Sequence, residues 1–189
     1  MRHGFKANAE RISANIRLEL GLDPRSALCP WRLADHLRIT VFYPADLKVP
    51  ANDLKQLTII DPDSWSGLTV KAAGLAAVIL NPTHPKTRQR NTLMHEISHV
   101  HLGHVGNRVD VSEQGLLLVS DFSKEQEDEA NWLAACLLVP REALLACRRE
   151  GLSGAQICSK YGISHPLCEW RLRMTGVDQQ LKNSRARRA

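Results

Sequence analysis

The sequence predicts an α+β fold: a small antiparallel (mixed) sheet packed on one buried helix, followed by a mostly helical C-terminal half. Three observations carry this. Short β-branched and aromatic runs between turn signals occupy residues 39–80. A helical stretch follows from about Lys86 or Thr87, with Leu93, Met94, Ile97 and Val100 covering much of its circumference. From Lys124 onward the pattern is helical, broken at Pro140 and Gly176.

In chain order, Ile12, Ile16, Leu18 and Leu20 among charged neighbours mark a first helix over 7–20, with Gly21 as its stop. Residues 31–37 read as a short second helix after Cys29-Pro30. Ile39-Thr40-Val41-Phe42-Tyr43 reads as a strand. Three further strands are predicted at 57–60, 67–70 and 75–80, joined by short turns as an antiparallel meander. Gly103 or Gly106 ends the helix that begins around Lys86 or Thr87. Residues 103–124 are irregular, and Leu116-Leu117-Leu118-Val119 within them suits a strand or an apolar lid. Helices are then expected over 124–139, 141–149, 153–161 and 166–175, with disorder after about Leu181.

At 189 residues with 43% hydrophobic side chains, the chain is long enough for one substantial core. A single domain over 1–181 and a basic, disordered tail over 182–189 are expected. No run approaches the roughly 20 apolar residues of a membrane span. The opening Met1-Arg2-His3-Gly4-Phe5-Lys6 leads into no apolar segment of the kind a secretory signal carries. Cys29, Cys136, Cys147, Cys158 and Cys168 are scattered and form no C-x-x-C pair, which reads as reduced thiols in a cytoplasmic protein. Residues 171–189 carry six basic side chains against Asp178, which accounts for the whole net charge of +5.

The helix beginning around Lys86 or Thr87 contains His95-Glu96-x-x-His99. At about 100° per residue the two histidines lie one turn apart on one face, with Glu96 beside them. Imidazoles so spaced can share one Zn²⁺, and the neighbouring carboxylate can take a proton from a water on the metal. A buried helix carrying three titratable side chains calls for such a reason. The longer pattern H-E-x-x-H-x-x-G-x-x-H requires Gly at 102 and His at 105. Leu102 and Val105 stand there, so His104 is not assigned as a ligand.

A third ligand is sought on the helix at 124–139, whose first turn is acidic. Helix-dipole complementarity accounts for acidity on average. It does not account for Ala130, Ala134 and Ala135 in line with one acid, which would let two helices approach closely. Glu127 ranks first as ligand, with Asn131 one turn on to orient a ligand imidazole from behind. Glu129, about 160° from Asn131 on the wheel, ranks second, and Glu125 third.

With these blocks the chain resembles the ImmA/IrrE family of zinc metallopeptidases, whose site is thermolysin-like. The resemblance rests on Arg88, Thr92 and His95-Glu96-x-x-His99 with Leu102-Gly103-His104, and on Glu127-x-Glu129-Ala130-Asn131-x-x-Ala134-Ala135-x-Leu137-Leu138-x-Pro140. It extends weakly over most of 10–177, including Ser66-Gly67-Leu68-Thr69. Leu133 stands where the family usually has Phe. The resemblance implies a zinc endopeptidase that cleaves a cytoplasmic regulatory protein, often a helix-turn-helix repressor or antitoxin-like partner. One catalytic Zn²⁺ on His95, His99 and Glu127, with Glu96 as general base, is the expected machinery. A second donor to the oxyanion is needed, and His101, His104 and Tyr161 are candidates. The strand at 75–80 is an expected edge for pairing with a substrate segment. The alternative reading is a non-proteolytic, metal-containing transcriptional regulator or protein- or DNA-binding module; the intact Glu96 favours the peptidase. Residues 153–176 have a helix-turn-helix look and, with the basic tail, suit DNA contact. Ile157, Tyr161, Ile163, Leu167 and Trp170 read better as a cap on the core.

Overall fold

A computed structural model describes residues 1–72, 75–106, 109–111, 117–119 and 122–186. Helix α1 (Phe5–Glu19) and the short α2 (Pro30–His36) lead into strand β1 (Ile39–Phe42). Helix α3 (Ala51–Lys55) follows, then the hairpin of β2 (Gly67–Ala72) and β3 (Leu75–Leu80), then α4 (Lys86–His101). Strands β4 (Val109–Val111) and β5 (Leu117–Val119) form a separate antiparallel pair. Helices α5 (Lys124–Leu138), α6 (Arg141–Arg149), α7 (Gly154–Tyr161), α8 (His165–Thr175) and α9 (Val177–Ala186) complete the chain. Among the described residues no single helix is long and apolar enough to cross a membrane.

The sheet is mixed, in the order β1-β3-β2. β2 pairs with β3 antiparallel, Thr69 opposite Val78, while β1 pairs with β3 in parallel, Val41 opposite the same Val78. The strand predicted as an edge, 75–80, is therefore central, and its two sides are taken by backbone partners. The edges are β1 and β2. The run 57–60 is also corrected: Gln56–Ile60 forms a π-helical turn continuing α3. Thr58 donates its hydroxyl back to the Leu54 carbonyl (2.7 Å), a bond that competes with strand pairing. Ile59 and Ile60 remain 70% and 61% exposed, so no core draws them into the sheet. Of the apolar run 116–119, Leu117–Val119 form β5, and Leu116 lies outside the described residues.

α4 packs on β2 and β3 with one face and on α5 with another. Gly67 sets the first approach. A Cβ placed there would lie 2.6 Å from Thr92 Cγ2 of α4, so any larger residue would push β2 away. Leu93, Met94 and Ile97 of α4 and Leu133, Leu137 and Leu138 of α5 are fully buried or nearly so, in one core cluster with Leu33, Val78, Leu80, Ile157 and Tyr161. Arg90 ties α4 to the C-terminal half. Its guanidinium donates to the carbonyls of Gly162 (3.1 Å), Tyr161 (3.3 Å) and Leu28 (3.1 Å).

The C-terminal end of α5 is buried, and its last carbonyls need partners. Ser13 donates to Cys136 O (2.8 Å), and Arg17, wholly buried in α1, donates to Leu137 O (2.6 Å). Arg171 of α8 donates to Val139 O (3.1 Å) and to Glu10 (2.6 Å). α9 continues to Ala186, beyond the predicted onset of disorder at about Leu181. Leu181 packs against the core, Gln180 accepts from Arg141 (2.5 Å) and Asp178 pairs with Arg148 (3.1 Å), so this amphipathic segment has surface to bind. Residues 187–189 of the predicted tail lie outside the described residues.

The close approach at Gly67 yields a test. Gly67→Ala is expected to destabilise the protein by about 1–3 kcal/mol in urea unfolding, the usual range for overpacking. Adding Thr92→Ser, which removes the clashing methyl, should restore most of that loss.

Candidate metal centre

Helical geometry carries His95 and His99 to one face of α4, where their Nε2 atoms lie 3.0 Å apart. Glu127 stands in the first turn of α5, which starts at Ser123. The Ser123 hydroxyl accepts from Gln126 N, and the Gln126 side chain accepts in turn from Ser123 N. From this position the Glu127 carboxylate spans both rings, with Oε2 3.4 Å from His95 Nε2 and Oε1 3.4 Å from His99 Nε2. One ligand atom from each residue lies within 4.8 Å of the others. Donors about 2.0–2.1 Å from a tetrahedral ion stand roughly 3.3 Å from each other, so this triangle fits a single divalent metal. His99 is fully buried, whereas the Glu127 side chain is 40% exposed, so one flank of the triangle faces solvent.

Glu96 stands beside the triangle. Thr69 of β2 donates its hydroxyl to Glu96 Oε2 (2.5 Å). Burial pushes the Glu96 carboxyl above its ordinary range, while Thr69 and His95 pull it back. Sequence reasoning about the site missed Thr69. The available signal was Ser66-Gly67-Leu68-Thr69, a small residue permitting close approach followed by a hydroxyl two positions on, which places both on one face of the strand.

The end of α4 adds a third histidine. Gly103 adopts φ 67°, the His104 amide donates to His99 O (3.0 Å), and the Gly103 amide donates to Val100 O (3.1 Å). This is a Schellman turn, which folds the residue after the glycine back over the last helical turn. His104 Nδ1 consequently sits 3.1 Å from His99 Nδ1. Its Nε2 lies 3.5 Å from Glu129 Oε2. Glu129 is 2% exposed and accepts from Arg2: from its backbone amide at 2.9 Å, from Nε at 2.8 Å and from Nη2 at 2.6 Å. The Arg2 guanidinium holds the Glu129 carboxyl down at about 2. Phe122 stacks on the His99 ring, centroids 3.7 Å apart and planes 22° from parallel.

Several predicted placements are corrected. Asn131 is exposed and bonds to neither histidine. It falls 40° beyond Glu127 on the wheel, past the edge of the buried face formed by Ala130, Leu133, Ala134 and Leu137. His104 lies behind His99, on the ring nitrogen facing away from the triangle, and so is not placed to donate to an oxyanion there. Tyr161 is buried in the core, where its hydroxyl donates to Arg25 O (2.8 Å). His101 is exposed at the end of α4, and the carboxylate that acts on it is that of Glu19. Glu129 reaches the site through His104, and Glu125 lies 3.1 Å from the Met1 amine.

A family model described as the IrrE N-terminal-like domain, of the M78 peptidases, matches residues 60–172. The chain belongs to the M78 peptidase family. In this M78 member the match takes in Thr69, all of α4 and α5, and the chain as far as Leu172 of α8. Arg2 and the rest of residues 1–59 lie outside it. No curated protein and no solved structure matches the chain. Membership of the family points to a peptidase-type function.

The donor set predicts a simple metal inventory. Ala at His95, His99 or Glu127 should each abolish stoichiometric binding of a divalent ion, measured by emission spectrometry on desalted protein. Asn131→Ala should retain it.

Proposed function

We propose that this protein is a zinc-dependent endopeptidase that cleaves a regulatory protein, with a helix-turn-helix repressor or antitoxin-like partner as substrate. The observation that carries the reading is the triangle of His95, His99 and Glu127 with Glu96 half-buried beside it. Two imidazoles and one carboxylate are the ligand set of catalytic zinc sites that keep a fourth position open. A site serving stability alone has no use for an adjacent base.

His95, His99 and Glu127 would hold the ion, which supplies Lewis-acid activation of a water and of the scissile carbonyl. The protein's own residues do the rest. Glu96 takes a proton from the attacking water and later delivers it to the leaving amine. Thr69 occupies Oε2, so Oε1 is the oxygen left for that proton, and the hydroxyl fixes the plane of the carboxylate. The raised affinity of a half-buried carboxylate for protons suits this shuttle better than a solvated one would. The exposed flank at Glu127 is the side from which a peptide can enter. Support for the substrate class comes from the two sequence blocks, 88–104 and 127–140, that carry the family resemblance.

The test pairs the purified protein and zinc with the helix-turn-helix regulator encoded by a neighbouring reading frame, with cleavage read by mass spectrometry. Glu96→Gln should keep its zinc and lose about 10²–10⁴-fold in kcat, the range of general-base removal. Thr69→Val should lose about tenfold, as expected for a group that orients another. A wild-type protein without zinc, or a Glu96→Gln variant that cleaves normally, sinks the peptidase reading. Zinc-dependent cleavage of other proteins but not of the regulator sinks only the substrate.

A further inference from the structure

We infer that Glu129, clamped by Arg2, sets the tautomer and ring orientation of His99 through His104, and so positions that imidazole to ligate metal. The inference rests on the metal centre proposed above, and goes beyond it in making three residues outside the triangle part of its assembly.

The chain of contacts has a direction. A buried carboxylate only accepts hydrogen bonds. Glu129 Oε2 faces His104 Nε2 at 3.5 Å, a separation at which the carboxylate acts on that nitrogen mainly through its charge. In a neutral His104 it favours the tautomer with the proton on Nε2, which leaves a lone pair on Nδ1. That lone pair meets His99 Nδ1 at 3.1 Å. Two lone pairs at this distance repel, so the His99 proton goes to Nδ1. The His99 lone pair is then on Nε2, the atom 3.0 Å from His95 and 3.4 Å from Glu127. The opposite arrangement turns the His104 lone pair toward the carboxylate. It also leaves a proton on His99 Nε2, where a metal needs electrons. Imidazole ligands are commonly fixed by a bond to their other nitrogen. Here that bond runs through a second imidazole, which the Schellman turn at Gly103 delivers, and Phe122 stacked on His99 resists rotation of the ring.

Arg2 acts at the far end. Its amide and guanidinium together fix both carboxylate oxygens of Glu129, which leaves Oε2 aimed at His104. Because the Arg2 side chain is 63% exposed, its removal should leave the fold intact.

The experiment measures zinc affinity by chelator competition for wild type, Arg2→Ala, Arg2→Lys and Glu129→Gln. Melting curves of the metal-free forms and ¹⁵N spectra of the histidine rings accompany it. Glu129→Gln should weaken zinc binding 10–100-fold and Arg2→Ala about tenfold, with Arg2→Lys recovering part. Metal-free wild type should show His99 protonated on Nδ1, and Glu129→Gln a mixture of tautomers. Wild-type affinity in both Glu129→Gln and Arg2→Ala overturns the inference, as does a metal-free wild type with His99 protonated on Nε2. Losses of affinity that only track losses in metal-free melting temperature overturn it as well. A wild type that binds no zinc overturns the metal centre itself, and the ring spectrum then decides the tautomer separately.

Discussion

A carboxylate on one helix can span two imidazoles on another only where the two helices nearly touch. That constraint governs this molecule. Ala130, Ala134 and Ala135 are buried along α5 and keep its surface low toward its neighbours, and the capping box at Ser123 fixes where its first turn begins. On the opposite side of α4, Gly67 lets β2 come close enough for the Thr69 hydroxyl to meet Glu96. The site is thus a layered contact: strand, helix, helix. A small residue sits at each junction, and a polar side chain reaches across each gap.

Holding α5 in this position raises a separate problem. Its C-terminal end is inside the protein, where unpaired carbonyls are costly. The solution draws on distant chain segments. α1 supplies Ser13 and Arg17, and α8 supplies Arg171, itself balanced by Glu10. Burial lowers the Arg17 guanidinium to about 10, still far above neutrality, so it stays a cation facing carbonyl dipoles. The first and last thirds of the sequence therefore converge on the end of one helix. Its opposite end carries Glu127 of the candidate metal centre.

Much of this was legible in the residues, for identifiable reasons. His95, Glu96 and His99 share a face because covalent spacing and helical pitch leave no alternative, and Glu127 followed from an acid aligned with alanines. The misplacements also share a cause, since each depended on tertiary surroundings. Asn131 is 40° from Glu127, and only the packed neighbours decide on which side of that angle solvent begins. His104 lies five positions from His99, a spacing that an unbroken helix would send elsewhere, and a left-handed glycine reversed it. Leu57-Thr58-Ile59-Ile60 has strand composition, but a hydroxyl-to-carbonyl bond favours the helical turn, and Ile59 and Ile60 stay exposed. Tyr161 has a hydroxyl suited to catalysis, yet the Arg25 carbonyl claimed it first.

Arg90 has a meaning for descent as well as for packing. Its guanidinium leaves the helix of the metal centre and grips the carbonyls at the end of α7, where Gly162, at φ 62°, has no Cβ to come within 2.9 Å of Nε. The stretch 153–176 has a helix-turn-helix look in its sequence. Its turn instead is a socket for an arginine of the central helix, and its apolar residues share that helix's core. A crossover between the two would strand a guanidinium and open the core at once. Descent would therefore have to carry the Arg90 of α4 and the turn at Gly162 together, since either without the other loses these bonds.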